Sequence, residues 1–236
     1  MTDDARPILA HLDELRWRIV KAGGAVLVAA IVAFLFTDQL RVLLEAPFHS
    51  AAPDSEFQSF AVTEQWGVWM RIAFFGGIIL ASPVVLYQLW AFINPALTSR
   101  ERKWALPIIA AMAVLFTGGV LFGYWLLPRG LEFLLGIFPD IRNDLRMSEY
   151  YSFVIRFLLA LGASFLYPVF VFASAAAGLV TSEQLARGRR WAVLTVVVAA
   201  ALITPTGDAL TLTFMSVPLY LMYEITYWLV RLLLRK

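Results

Sequence analysis

The chain has 236 residues, of which 61% are hydrophobic and 15% charged, and its formal net charge is +2. A soluble domain carries ~25% charged residues, so this chain has too few to cover a water-facing surface and reads as a polytopic membrane protein. The small net charge gives no argument for nucleic acid as a partner. The absence of cysteine excludes a disulfide framework, a thiolate nucleophile and a thiolate metal site.

The first residues, Met-Thr-Asp-Asp-Ala-Arg, are acidic and polar rather than a basic leader, so the first apolar run is expected to stay in the mature chain. The segment 11–18, His-Leu-Asp-Glu-Leu-Arg-Trp-Arg, comes just before that run. On a helix, Glu14 and Arg18 lie four apart on one face and can pair, while Leu12, Leu15 and Ile19 form an apolar stripe beside them. Such a turn lies along a membrane surface and holds a carboxylate and two guanidiniums at the water boundary.

A span needs ~20 apolar residues. Six runs are predicted to cross: 19–36, 66–93, 104–127, 151–180, 191–203 and 210–230, in one all-α membrane domain covering 1–236. Residues 37–64 read as a polar, mostly acidic connection with Pro47 and Pro53. Pro83 is expected to kink the second span, which ends at Asn94-Pro95. Residues 96–103 form a charged loop, and 128–149 a mixed-charge loop with room for a short amphipathic helix. Pro168 lies in the middle of the fourth run. The last two spans are short: 191–203 makes ~20 Å of helix against ~30 Å of hydrocarbon, and Pro218 and Glu224 interrupt the sixth. Short neighbours imply local thinning of the bilayer or strong shared burial.

Six spans put both termini on one side. That side carries thirteen basic residues, from Arg6, Arg16, Arg18 and Lys21 to Arg231, Arg235 and Lys236, against Arg41, Arg129, Arg142 and Arg146 on the other. The bias makes both termini cytoplasmic. Trp66, Trp69, Trp104, Tyr150, Tyr151 and Trp191 read as interface anchors, and Arg71 and Arg156 as arginines that snorkel to the outer interface. No inverted repeat relates the two halves.

Catalysis has no place to sit. His11 and His49 fall on opposite sides of the membrane, no His-Glu-x-x-His is present, and Ser164 has no base at its depth. Neither an enzyme nor a cofactor is implied. Two acidic residues remain on the cytoplasmic side, Glu14 and Glu101, each flanked by basic residues. Either each pairs with its neighbours, or the two form a site for a cationic partner. Carboxylates take guanidinium in a bidentate fork that lysine cannot reproduce, so such a site would favour paired arginines. Gln88 reads equally as a helix–helix hydrogen bond or a cavity lining.

These residues resemble the TatC family of the twin-arginine (Sec-independent) protein translocase along nearly the whole chain. Segment 11–18 resembles its N-terminal signature, and Pro83-Val-Val-Leu-Tyr-Gln-Leu-Trp-Ala-Phe-Ile-Asn-Pro-Ala-Leu, with Glu101-Arg102 after it, its second-span-to-loop signature. Thr204-Pro-Thr-Gly-Asp208 resembles the last periplasmic turn, and Tyr223-Glu224 the acidic position of the final span. The resemblance implies a receptor in the bacterial inner membrane that recognises the paired arginines of signal peptides. With TatA, TatB and other TatC copies, in contact with membrane lipid, it exports folded proteins on the proton-motive force. Glu14 and Glu101 match the positions that contact the arginine pair; Arg16, Phe92, Pro95 and Leu97 match positions that shape the site. Pro47 matches an important periplasmic-loop proline, and the resemblance places TatB along the fifth span. The chain departs from the family in the fourth span, where Phe165-Leu166-Tyr167-Pro168 puts leucine at a position that is usually glutamate or glutamine facing a cavity. A small-solute permease is the competing reading; it predicts polar residues converging at mid-membrane, where these segments are mostly apolar. An intramembrane hydrolase would need a base that the sequence lacks.

Overall fold

The computed structural model describes residues 5–53, 55–93, 105–136, 144–176, 178, 180–203 and 209–234, with 5–11, 93, 105–107, 176, 203, 210, 211, 233 and 234 as backbone only. Among them the chain forms helices α1 (Ala5–Phe34), α2 (Thr37–Ala51), α3 (Glu64–Ile93), α4 (Ala105–Leu135), α5 (Met147–Ser164), α6 (Tyr167–Ala176), α7 (Ser182–Ile203) and α8 (Ala209–Leu229), the last continued by a π-helical turn, Val230–Leu234. Two short strands, β1 (Phe57–Gln58) and β2 (Leu145–Arg146), pair in parallel with Phe57 opposite Leu145.

Among the described residues, four stretches are long and apolar enough to cross a membrane: Leu12–Phe34, Glu64–Phe92, Ile108–Leu135 and Met147–Ala175. The last joins α5 and α6 across a bend at Phe165 and Leu166. Pro168 explains the bend: it lacks an N–H, and the residue before a proline disfavours helix. The fourth run is therefore two helices rather than one.

Helix packing inside lipid gains nothing from hydrophobicity alone and relies on close approach of small residues. Gly77 of α3 supplies this against α1, since a Cβ there would sit 2.7 Å from the Ala30 backbone. Gly119 of α4 does the same against α5, where a Cβ would meet the Leu161 carbonyl at 2.7 Å. Outward-facing apolar residues such as Ile31, Leu35, Val114 and Leu121 are left exposed, as a lipid-facing surface requires.

Helix α5 is the hub. Tyr150, Tyr151, Val154, Phe157, Leu158 and Leu161 recur at helical spacing and are buried against Leu44 and Phe48 of α2, Ile72 of α3, Leu127 of α4 and Met215 of α8. A second cluster of Leu86, Trp90, Met112, Phe116 and Leu166 fills the other end between α3 and α4. A third joins α6, α7 and α8 through Ala175, Leu185, Tyr223, Tyr227 and Val230.

Three further expectations are corrected. The start of the connection 37–64 is the helix α2: Leu40, Leu44 and Phe48 put an apolar stripe on α5, and buried Pro47 sits inside the helix. Helix α4 runs through Pro128 to Leu135, because the residues beyond the proline are still apolar and Leu131 joins the core. Tyr150 and Tyr151 are 3% and 0% exposed and do not anchor an interface; their hydroxyls donate into the core, to the Leu44 carbonyl and to Glu45 Oε1, both at 2.6 Å.

Candidate functional site

Polar side chains gather at the two ends of the bundle. At the end where α1 enters, Glu14 and Arg18 lie on consecutive turns. Arg18 Nε donates to Glu14 Oε1 at 2.9 Å and Nη2 donates to the same oxygen, while Nη1 donates across to Gln88 Oε1 of α3 at 3.5 Å. The arginine thus ties α1 to α3, and Gln88 makes a helix–helix hydrogen bond. The pair stays half-exposed, the side chains retaining 23% (Arg18) and 34% (Glu14) of their accessibility. Arg16, two residues from each, is exposed and faces elsewhere. Phe92, one turn beyond Gln88, is half-buried. Glu101, Pro95, Leu97 and Asp208 lie outside the described residues, so the structure brings together Glu14 and Gln88, through Arg18, from the expected set.

Glu224 belongs to a network of α7 and α8. Arg189 Nη2 donates to its Oε2 at 2.9 Å and Tyr220 to its Oε1 at 2.9 Å, and the Arg189 guanidinium lies 4.4 Å from the centre of the Tyr227 ring. The Tyr223 hydroxyl donates to the Leu185 carbonyl, a second tie between the two helices. Pro47 sits at the opposite end of the bundle.

That opposite end holds three carboxylates missing from the expected site. Glu45 of α2 accepts from Arg41 Nη1 at 3.0 Å (Oε1) and 2.8 Å (Oε2), and from the Tyr151 hydroxyl. This bond raises the Arg41 pKa above its ordinary value. Glu64, at the start of α3, accepts from the Phe60 N–H at 2.8 Å and from the Ser148 N–H and Arg146 Nε, both at 3.1 Å. Asp144 accepts from the Glu56 N–H and Gln58 Nε2, both at 3.2 Å, and pins β1 to β2. The i,i+4 pair Arg41–Glu45 was a readable sign of helix α2; its partner Tyr151 was not.

A cavity of about 730 Å3 opens between the α5–α6 bend, α7 and α8, lined by Ser164, Tyr167, Trp191, Thr195 and Tyr223 among others. Its wall is mainly apolar, and the Ser164 hydroxyl is spent on the Ala160 carbonyl at 2.6 Å. Leu166 does not line it: its side chain packs against Leu86, Trp90, Met112 and Phe116. Leu166 is thus a core residue rather than a cavity-facing one.

Long apolar helices joined by small-residue seams, with charge confined to the ends, define an α-helical integral membrane protein. Comparison with known proteins gives the family. Residues 10–218 match the family model described as Sec-independent protein translocase protein (TatC), and the chain belongs to that family. The Sec-independent protein translocase protein TatC of Aquifex aeolicus is 36% identical over 234 residues, covering 98% of this chain and 97% of the relative. That of Xylanimonas cellulosilytica is 38% identical over 222 residues, covering 92% and 80%. A crystal structure of the twin arginine translocase receptor TatC superposes with a TM-score of 0.87 at 36% identity, covering 94% of this chain and 98% of the other.

Proposed function

We propose that this chain is the receptor of a twin-arginine translocase and that it holds the paired arginines of a signal peptide on Glu14 and Glu101. The observation that carries this reading is the fork in which Arg18 already holds Glu14, half-exposed at the end of α1. An incoming guanidinium would take over bonds that the site now makes to its own arginine. Because the pair is partly solvated, the exchange carries a small electrostatic cost. Lysine would recover only part of the fork.

Around this site the reading places six spans in a bacterial cytoplasmic membrane, with α7 and α8 as the last two and both termini cytoplasmic; α7 begins at Ser182, so its helix is longer than the expected run 191–203. The basic residues concentrated beside the α1 entrance support that orientation. Export of folded cargo would then proceed with TatA- and TatB-type subunits and further copies of this chain, driven by the proton-motive force. The protein itself acts as receptor and scaffold rather than as an enzyme.

The test is binding of purified full-length protein to a signal peptide with paired arginines, and to the same peptide with paired lysines. A preference for arginine that falls about ten-fold in Glu101→Ala supports the reading. Equal binding of both peptides by the unmodified protein overturns it. Orientation has its own test, since a chain without cysteine accepts single labelling sites cleanly. A cysteine at position 6 should react with a membrane-impermeant reagent only from the cytoplasmic side.

A further inference from the structure

Between α3 and α5, on the flank nearer the α2 end, lies a cavity of about 370 Å3. Arg71, Ser152 and Arg156 supply its polar atoms, and Phe74, Ile78 and Ile155 part of its apolar wall. Both helices begin at the same end of the bundle, where β1 and β2 pair. Arg71 is seven residues into α3 and Arg156 nine residues into α5, or roughly 10–14 Å along each axis. A 30-residue α3 is ~45 Å long against ~30 Å of hydrocarbon, so both arginines fall near the boundary between headgroups and acyl chains. Exposed Trp66, one turn toward the end of α3, fits the aromatic belt that marks this boundary.

Intramembrane arginines are costly and are normally paired. Arg71 does not simply snorkel outward. Its Nη1 reaches across to α5, donating to the Ser148 carbonyl at 3.2 Å and to Ser152 Oγ at 2.6 Å, which fixes the guanidinium at the cavity. Arg156 is exposed on the same cavity. Among the described residues neither arginine has a carboxylate within ion-pair reach. The nearest acidic residues in sequence are each seven positions away, and both face Arg146: Glu64, before Arg71, at 3.1 Å and Glu149, before Arg156, at 3.9 Å. Two cations therefore share one cavity whose other wall is hydrocarbon.

We propose that this cavity binds the phosphate of a net-anionic phospholipid between Arg71 and Arg156, with an acyl chain lying against Phe74, Ile78 and Ile155. Arginine forks match phosphate oxygens in planar, bidentate geometry. Two guanidiniums favour a headgroup of net negative charge over a zwitterionic one, whose own ammonium already balances the phosphate. The apolar wall favours a lipid over a free anion, which would gain nothing from it. The site is independent of the signal-peptide reading, for it lies on another flank and uses none of the same residues.

The experiment is native mass spectrometry of the full-length protein released from nanodiscs of equal parts phosphatidylglycerol and phosphatidylcholine. The expected result is one phosphatidylglycerol retained in preference to phosphatidylcholine, with retention falling about ten-fold in Arg156→Gln and partly restored in Arg156→Lys. Arg156 makes no side-chain bond among the described residues, so these variants should melt with the parent protein. Arg129→Gln removes the same charge elsewhere and should leave retention unchanged. Equal retention of both lipids, an equal loss in Arg129→Gln, or displacement of the lipid by millimolar inorganic phosphate would each overturn the proposal. So would an Arg156→Gln protein that keeps its lipid.

Discussion

The two ends of the bundle treat carboxylates in opposite ways. At the α2 end, Glu45 and Glu64 are each 8% exposed and surrounded by donors, some from more than 80 residues away. At the α1 end, the side chains of Glu14 and Glu224 keep 34% and 23% of their exposure, and each is held chiefly by one arginine. A carboxylate taken out of water loses so much hydration that it must be saturated inside the protein, and it cannot then change partners. A half-hydrated one loses little when a partner is replaced. Burial therefore separates carboxylates committed to the fold from those that lose little when a partner is replaced.

The sharpest way to break this contrast is at Glu45. Glu45→Ala strips the Tyr151 hydroxyl of its acceptor and leaves Arg41 with only Asp38, at 3.8 Å. A fully buried pair broken in this way costs ~3–5 kcal/mol. Arg41 is 39% exposed and can turn to water, so the expected loss is about 2–3 kcal/mol in denaturant unfolding in detergent. A variant as stable as the parent would mean that the α2 end is no more committed than the other. Tyr151→Phe is the milder probe. It keeps the packed ring and removes one buried hydrogen bond, for an expected loss of about 1 kcal/mol. A larger loss would show that the hydroxyl organises the whole Glu45 network.

How much of this was readable in the sequence follows the same division. The long helices were legible because lipid demands unbroken apolar runs, whereas the fourth run read as one span although Pro168 divides it into two helices. The Glu14–Arg18 pair was legible because both residues lie on one helix, four positions apart. Helix α2 was hidden by its charge and its proline, although Leu40, Leu44 and Phe48 carry the stripe that packs it. The buried tyrosines were misread because their acceptors on α2 lie 106 residues away, and nothing local distinguishes a Tyr that faces an interface from one that donates inward. The tie from Arg18 to Gln88 spans 70 residues and was hidden for the same reason.

Glu14→Gln carries the smallest expected effect on stability and the clearest bearing on function. The amide keeps an oxygen for Arg18, and an exposed ion pair is worth little, so the loss should stay within about 0.5 kcal/mol. Peptide binding should respond quite differently. The neutral amide accepts from a guanidinium without the charge that strengthens the bond, so the preference for paired arginines over paired lysines should drop about ten-fold. The two readouts must diverge: an unchanged melting curve beside a lost preference assigns Glu14 to recognition. If stability falls as far as in Glu45→Ala, Glu14 is a structural carboxylate like those at the α2 end. If neither quantity moves, Arg18 holds Glu14 as an inert surface pair, and the receptor site must rest on Glu101 alone.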